Sequence, residues 1–158
     1  MAVTPAESDL QEIVDGVMST LLQTHAVAQS RLDPSRMAAE STWTGCVAIG
    51  GAFTGAVIVK CTRDFVHRIA EAMFTGEQVT DELARDALAE LTNVMGGNIK
   101  SLFSALTDST CSLSLPAVST GSLDIPGGSL LGELWSVCNA DRIGVAVYRS
   151  RSADTIRR

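Results

Sequence analysis

The chain has 158 residues, of which 46% are hydrophobic, 19% charged and 4% aromatic, and its formal net charge is −6 at pH 7. This balance predicts one globular domain over residues 1–158 with a buried core, not a disordered chain. The scarcity of aromatic residues and the acidic charge argue against nucleic-acid binding, which needs stacking side chains and clustered Lys and Arg. The acidic charge favours a basic partner, or a partner that exposes a Lys near its own site.

No targeting or membrane segment is visible in the sequence. No basic residue precedes Arg31, and no continuous apolar segment follows Met1, so a signal peptide is not expected. No apolar run approaches the roughly 20 residues that a membrane span needs. We therefore expect a cytoplasmic protein that does not enter a membrane.

The residues that commonly bind metals are scattered along the chain. The four cysteines (Cys46, Cys61, Cys111 and Cys138) form no CxxC pair, which predicts reduced thiols in the core. His25 and His67 are isolated, with no nucleophile motif around them, and no GxSxG or P-loop motif occurs. The sequence therefore predicts no metal site and no cofactor of its own.

The first half of the chain predicts helix, hairpin and helix in turn. Apolar residues between Leu10 and Leu22 recur at helical spacing, so the first helix buries one stripe. The segment "WTGCVAIGGAFTGAVIVKC" predicts two strands, roughly 42–49 and 52–61, joined at Gly50-Gly51. Thr62 can cap a short helix, "RDFVHRIAEAMF", and a long helix opens near Thr80.

The second half predicts strands. After Leu106 the polar "TDST" ends the long helix, and "CSLSL" alternates until Pro116 interrupts it, as at a bulge or a sheet edge. "LLGELWSVC" and "RIGVAVYR" predict the last two strands, and a polar tail covers about 151–158. This order predicts an α/β (α+β) fold with a mostly antiparallel sheet packed against long helices.

The long helix carries an unusual polar face. A projection at about 100° per residue gives a core stripe opposite this face; the stripe contains Leu88, Leu91, Met95, Leu102 and Leu106, with Ala84 and Ile99 at its margins. Asp86, Glu90, Asn93 and Gly97 fall within a narrow arc on the other side. These four residues form a line along the exposed face, which we call the ridge.

A solvated surface is the simplest interpretation of the ridge, but two residues argue for more. Asn is a poor residue inside a helix because its amide competes for backbone hydrogen bonds. Gly costs about 1 kcal/mol relative to Ala at an exposed interior position. Gly96 can be explained by close packing against a strand, whereas Gly97 points away from the core. A bare surface at Gly97 would let another protein approach closely.

At these residues the sequence resembles the CheC/CheX/FliY family of chemotaxis phosphatases. The family signature is Asp or Ser, three residues, Glu, two residues, Asn, twenty-two residues and Pro. Asp86, Glu90, Asn93 and Pro116 match every position, and Gly96-Gly97 after the Asn is also family-like. One such site in a chain of this length resembles the CheX branch more than the two-site CheC branch.

The resemblance implies a CheC-like fold and hydrolysis of the aspartyl phosphate of a phosphorylated CheY-type response regulator. Asn93 would orient the attacking water, and Glu90 would pair with the partner's active-site Lys. Asp86 and Gly97 would support docking, and Pro116 would shape the strand after the helix. The resemblance also implies that Mg²⁺ is supplied by the response regulator and that the chain forms a homodimer.

Two other functions fit the same residues. The domain could be a non-catalytic CheX-like module that binds a receiver domain or another signalling protein. It could also be a structural subunit whose ridge is a dimer contact. The sequence identifies neither the receiver nor the pathway.

Overall fold

The computed structural model describes residues 4–23, 27–28, 42–121, 128–139 and 141–150. Within these ranges the elements follow in the order α1 (Glu7–Leu22), β1 (Val27–Ala28), β2 (Thr42–Gly51), β3 (Gly55–Thr62), α2 (Arg63–Met73), α3 (Asp81–Thr107), β4 (Cys111–Leu113), β5 (Ala117–Ser119), β6 (Ser129–Cys138) and β7 (Asp141–Arg149). The predicted element order is confirmed, with β1 as an addition that the sequence pattern did not indicate. His25 and the predicted tail at 151–158 lie outside the described residues.

The seven strands form one sheet in the order β1-β6-β7-β3-β2-β4, and β5 also pairs with β2. Every strand pair is antiparallel. Hairpins join β2 to β3 and β6 to β7, and α2 and α3 lie between β3 and β4. The predicted α+β class with an antiparallel sheet is confirmed.

The predicted turn of the first hairpin is wrong by a few residues. Gly50 and Gly51 lie inside β2, and the turn covers residues 52–54, so that Ile49 pairs with Gly55. The strand continues through the glycines because β4 pairs with residues 49–51 on the other side of β2. Gly51 has a φ of +108°, which a residue with a side chain rarely adopts.

The core lies between the helices and one face of the sheet. Alternate residues of β2 and β3 face the helices, including Trp43, Val47, Val57 and Val59, and they belong to the same buried cluster as the apolar faces of α1, α2 and α3. The apolar stripe of α1 is confirmed, with Leu10, Val14, Val17 and Met18 buried. Burying each large side chain stabilises the fold by about 1.5–3 kcal/mol.

Threonine caps begin the second and third helices, as predicted. The Thr62 hydroxyl accepts a hydrogen bond from the Phe65 N–H, and the Thr80 hydroxyl accepts one from the Leu83 N–H, both at 3.2 Å. Each cap satisfies a backbone donor that has no partner within its helix. The two helices therefore start where the sequence indicates.

The predicted core stripe of α3 is wrong toward its C-terminal end. The buried residues of this helix are Ala84, Ala87, Leu88, Leu91, Thr92, Met95, Gly96, Ile99 and Phe103. Leu102 is only partly buried and Leu106 is exposed. Phe103, in place of Leu102 and Leu106, continues the buried face, and its ring stacks on Phe53 in the hairpin turn, with ring centroids 3.8 Å apart.

None of the helices in the described ranges is both long and apolar enough to cross a membrane.

Candidate functional site

The ridge lies on the outer face of α3, as the helical projection predicts. Asp86 and Glu90 are exposed, and Asn93 and Gly97 are partly exposed, whereas the opposite side of the helix is buried. Successive ridge residues are three or four positions apart, so they stand one above another on the same side of the helix. The helix therefore presents two carboxylates, a carboxamide and a bare backbone segment in one line.

The polar groups of the ridge are not used inside the described part of the chain. Asp86, Glu90 and Asn93 make no hydrogen bond or ion pair with the described residues. Other polar side chains of α3 do bond to their own helix. The Asn98 amide donates to the Val94 carbonyl at 2.8 Å, and the Thr92 hydroxyl donates to the Leu88 carbonyl at 2.6 Å. The Asn93 amide is thus free to bind a group outside the chain.

The two adjacent glycines of α3 face different surroundings. A Cβ atom at Gly96 would lie 2.4 Å from the Val47 Cγ1 atom and 3.4 Å from the Leu113 Cδ1 atom. A Cβ atom at Gly97 would meet nothing within 4 Å. Gly96 therefore allows α3 to pack closely on β2 and β4, as the sequence suggested. Packing inside the chain gives no reason for glycine at 97.

Pro116 occupies a β-bulge at the sheet edge. The Ser114 N–H donates to the Ala48 carbonyl at 2.9 Å, and Ala117 pairs with Cys46. Two residues, 115 and 116, therefore oppose the single residue Val47. A proline fits there because it has no N–H to contribute to the ladder. The interpretation of Pro116 as a residue that shapes the strand agrees with this geometry.

The bulge lies beside the helical turn that carries Asn93. Leu113, before the bulge, reaches the Gly96 position, and Val118, after it, pairs with Gly45, whose Cβ position faces Thr92. The strand thus runs past α3 from the level of residue 96 to the level of residue 92. The fold brings Pro116 alongside the turn of α3 that contains Asn93, although 22 residues separate them in the sequence.

A groove of about 690 Å³ lies on the opposite flank of the ridge, between α1 and α3. Its floor is apolar, with Ile13 and Val17 from α1 and Val94 and Leu102 from α3. Val94 follows Asn93 directly, so the groove adjoins the ridge. Local sequence patterns do not predict this groove, because it forms between two helices and the helical projection places Leu102 in the core stripe.

His67 has a structural position. Its Nε2 atom lies 2.8 Å from Asp81 Oδ1, and the Arg63 guanidinium donates to the same oxygen at 2.8 Å. The hydrogen bond to His67, followed by that from Arg63, lowers the pKa of the Asp81 carboxyl. The ring of His67 also contacts the edge of Trp43, at a centroid distance of 6.1 Å. The cluster connects α2 to the start of α3, away from the ridge.

The cysteines are free thiols, as predicted. Cys61, Cys111 and Cys138 are buried, and Cys46 is partly buried. Burial, reinforced by the nearby Asp141 and Asp15, raises the pKa of Cys138 to about 11. Burial also raises the pKa of Cys46 and Cys61. Among the described residues, no three His, Cys, Asp or Glu side chains converge in a way that could hold a metal ion.

Comparison with known families identifies one match. The family model described as "Chemotaxis phosphatase CheX" matches residues 43–125, more than half of the chain, and this range includes the ridge and Pro116. No curated protein sequence gives a significant match.

Several solved structures of similar fold are chemotaxis proteins. The chain is 18% identical to the chemotaxis protein CheX from Vibrio vulnificus, with a TM-score of 0.72 and coverage of 93% of this chain and 99% of that one. CheX from Desulfovibrio desulfuricans gives 18% identity, a TM-score of 0.71 and coverage of 89% and 95%. A CheX–CheY–BeF₃–Mg²⁺ complex from Borrelia burgdorferi gives 14% identity, a TM-score of 0.71 and coverage of 94% and 100%. At these identities the likeness establishes the fold.

Proposed function

The chain belongs to the CheX family of chemotaxis phosphatases, and we propose that it hydrolyses the aspartyl phosphate of a CheY-type response regulator. The observation that supports this proposal most directly is the free carboxamide of Asn93 beside the free carboxylate of Glu90 on one exposed helical face. A relative of the same fold has been solved in complex with CheY, BeF₃ and Mg²⁺. We extend that partner class to this chain.

In the proposed reaction, α3 docks over the phosphorylated aspartate of the receiver. A water oxygen adds to phosphorus while the bond to the aspartyl oxygen breaks, giving inorganic phosphate and a free aspartate. Such phosphoryl transfer depends mainly on positioning and on charge stabilisation. The Asn93 amide can accept a hydrogen bond from the water and donate one nearby, without repelling the phosphoryl dianion. A carboxylate at that position would repel it.

Glu90 would act in docking, whereas the metal ion would come from the receiver. The Glu90 carboxylate would form a charge-assisted bond with the partner's active-site Lys, which sets the register of docking. Asp86, one turn earlier on the same face, would add to the docking surface. Mg²⁺ would be bound by the receiver, as the resemblance to the family implies. The same proposal places the reaction in the cytoplasm.

The test is the decay of acyl phosphate on purified receivers in the presence of Mg²⁺. We expect Asn93→Ala to slow the catalysed rate by about 10²-fold or more, as loss of a well-placed amide does elsewhere. Glu90→Ala should lower kcat/KM by about tenfold or more, because a hydrogen bond to a charged group is lost. Asn98→Ala is the matched control, since that amide is bonded to the Val94 carbonyl of its own helix.

The outcomes separate the candidate functions. Phosphorylation-dependent binding without faster decay, insensitive to Asn93→Ala, would indicate the non-catalytic module. No effect on any receiver of the source organism, and no binding, would refute the proposal. Equal losses of phosphatase activity in Asn93→Ala and Asn98→Ala would show that the position of the Asn93 amide on the ridge is not important for catalysis.

The homodimer stays a prediction. The β4–β5 edge could contact a second copy, although the bulge interrupts its ladder. Sedimentation at several protein concentrations would test self-association.

A further inference from the structure

Leu115 is far more exposed than the other large apolar side chains on the described surface. Its exposure is 90%, compared with 51% for Leu130 and 48% for Leu106. Isolated exposed leucines are common on protein surfaces and need no function. The case for Leu115 therefore depends on how its backbone is held and on where it lies.

The backbone around Leu115 is held on both sides. Before it, the Ser114 N–H donates to the Ala48 carbonyl and the Ser114 hydroxyl accepts from the Ala48 N–H, both at 2.9 Å. The same hydroxyl lies 3.1 Å from the Leu115 carbonyl and can donate to it. After it, Pro116 restricts φ and β5 pairs with β2. Leu115 is thus presented on an ordered backbone, so its use in binding would cost little entropy.

The location of Leu115 brings it within reach of any protein docked on the ridge. Leu115 is two residues after Leu113, which contacts the Gly96 turn. Leu115 therefore lies about 7 Å farther along the strand, toward the level of Asn93. A typical interface covers about 800 Å² on each partner, which corresponds to a disc of about 16 Å radius. An interface of this size centred on Asn93 is large enough to extend to the neighbouring strand segment that carries Leu115.

We propose that Leu115 is an apolar anchor of the receiver interface, seated against an apolar patch beside the partner's phosphorylated aspartate. This inference rests on the proposed function. It divides the work between two elements: Asn93 on α3 acts on the water, and the bulge after β4 contributes binding. A second copy of this chain fits the site less well, because Pro116 has no N–H and the bulge breaks the ladder on which strand pairing depends.

The experiment compares Leu115→Ala with Leu130→Ala, a truncation of another exposed leucine on β6. Binding is measured to CheY-type receivers of the source organism, each loaded with beryllofluoride and Mg²⁺, which needs no hydrolysis. Dephosphorylation of the same receivers is then measured as a function of their concentration. We expect Leu115→Ala to raise Kd and KM about tenfold, as loss of an interface anchor does, with kcat within twofold of wild type. Leu130→Ala should match wild type in all three quantities.

Each possible result bears on a different claim. If the wild type acts on a receiver and Leu115→Ala equals Leu130→Ala, the anchor is refuted while the proposed function stands. If Leu115→Ala abolishes self-association in sedimentation and receiver binding per chain is unchanged, the leucine belongs to a dimer contact and the anchor is again refuted. If the wild type neither binds nor dephosphorylates any receiver, the proposed function fails and the anchor fails with it. A fall in kcat at unchanged KM would also overturn the anchor.

Discussion

The adjacent glycines of α3 should respond in opposite directions to the same substitution. Gly97→Ala places a methyl group in open space and removes the cost of glycine inside a helix, so the free energy of unfolding should rise by about 1 kcal/mol. Gly96→Ala also removes the cost of glycine inside a helix, so it gains the same stabilisation from this source. However, its Cβ would lie 2.4 Å from the Val47 Cγ1 atom, and overpacking of this kind costs about 1–3 kcal/mol.

The clash at residue 96 is not relieved easily. Val47 is buried in the central part of β2, and a β-branched side chain has few alternative rotamers there. The net change for Gly96→Ala is therefore a loss of about 0–2 kcal/mol, and the two variants should differ by about 1–3 kcal/mol. Urea unfolding of both proteins under the same conditions measures this difference. Equal changes in the two variants would refute the assignment of the glycines to different faces.

The functional part of the prediction concerns a larger side chain at residue 97. Gly97→Leu should leave the fold intact, since an added Cβ atom at this position would meet nothing within 4 Å. It would place an apolar side chain one turn after Asn93 on the ridge, and we expect it to abolish docking to the receiver. Circular dichroism and thermal unfolding verify the fold, and the acyl-phosphate decay assay measures function. A folded Gly97→Leu protein with wild-type activity would refute this role.

The remaining predictions concern stability. Asn93→Ala should raise the free energy of unfolding by up to about 0.5 kcal/mol in urea while it removes catalysis, because Ala is the better helix former. Thr80→Ala should lower the same quantity by about 1 kcal/mol, through loss of the helix cap. Asp81→Asn should lower the melting temperature at neutral pH. The pKa of Asp81 is lowered in the folded state by its hydrogen bond to His67, so its stabilisation is complete above the ordinary pKa of an aspartate, 3.8, and disappears as the pH falls through the lower folded-state pKa.

Each of these stability predictions has a distinct contrary outcome. A less stable Asn93→Ala protein would mean that the amide supports the fold. An unaffected Thr80→Ala protein would mean that another group satisfies the first backbone donors of α3. Melting temperatures of wild type and Asp81→Asn that differ by a constant amount down to acid pH would show that the ion pair is not the source of the difference.

Most elements of the fold were predictable because local signals and tertiary contacts agree. The capping threonines and the period of the apolar residues located α2 and the start of α3. The hairpin turn was misplaced because β4 extends β2 through Gly50 and Gly51, and that pairing partner lies 60 residues away in the sequence. Strand β1 has only two residues and so leaves no periodic pattern.

The position of the ridge was predictable because it depends only on helix geometry. Four residues at spacings of four, three and four must share one face of a continuous helix, whatever lies beneath it. Near the end of the helix the structure buries Phe103, which stacks on Phe53, and leaves Leu106 exposed, and that tertiary contact is contained in no local rule. Leu115 was missed for a similar reason. In the alternation of "CSLSL" it occupies a core-facing position, and only the bulge turns it outward.

The design of α3 separates stability from function on a single helix. Its nine buried residues pack on the sheet and the other helices, and each large one contributes about 1.5–3 kcal/mol. The ridge residues Asn93 and Gly97 weaken the helix by at most about 1 kcal/mol each. The stabilisation from the buried face is several times larger than that loss. The outer face can therefore carry residues that lower the stability of the helix. Packing inside the chain requires neither the free amide nor the bare turn beside it, and the proposed docking of a receiver would account for both.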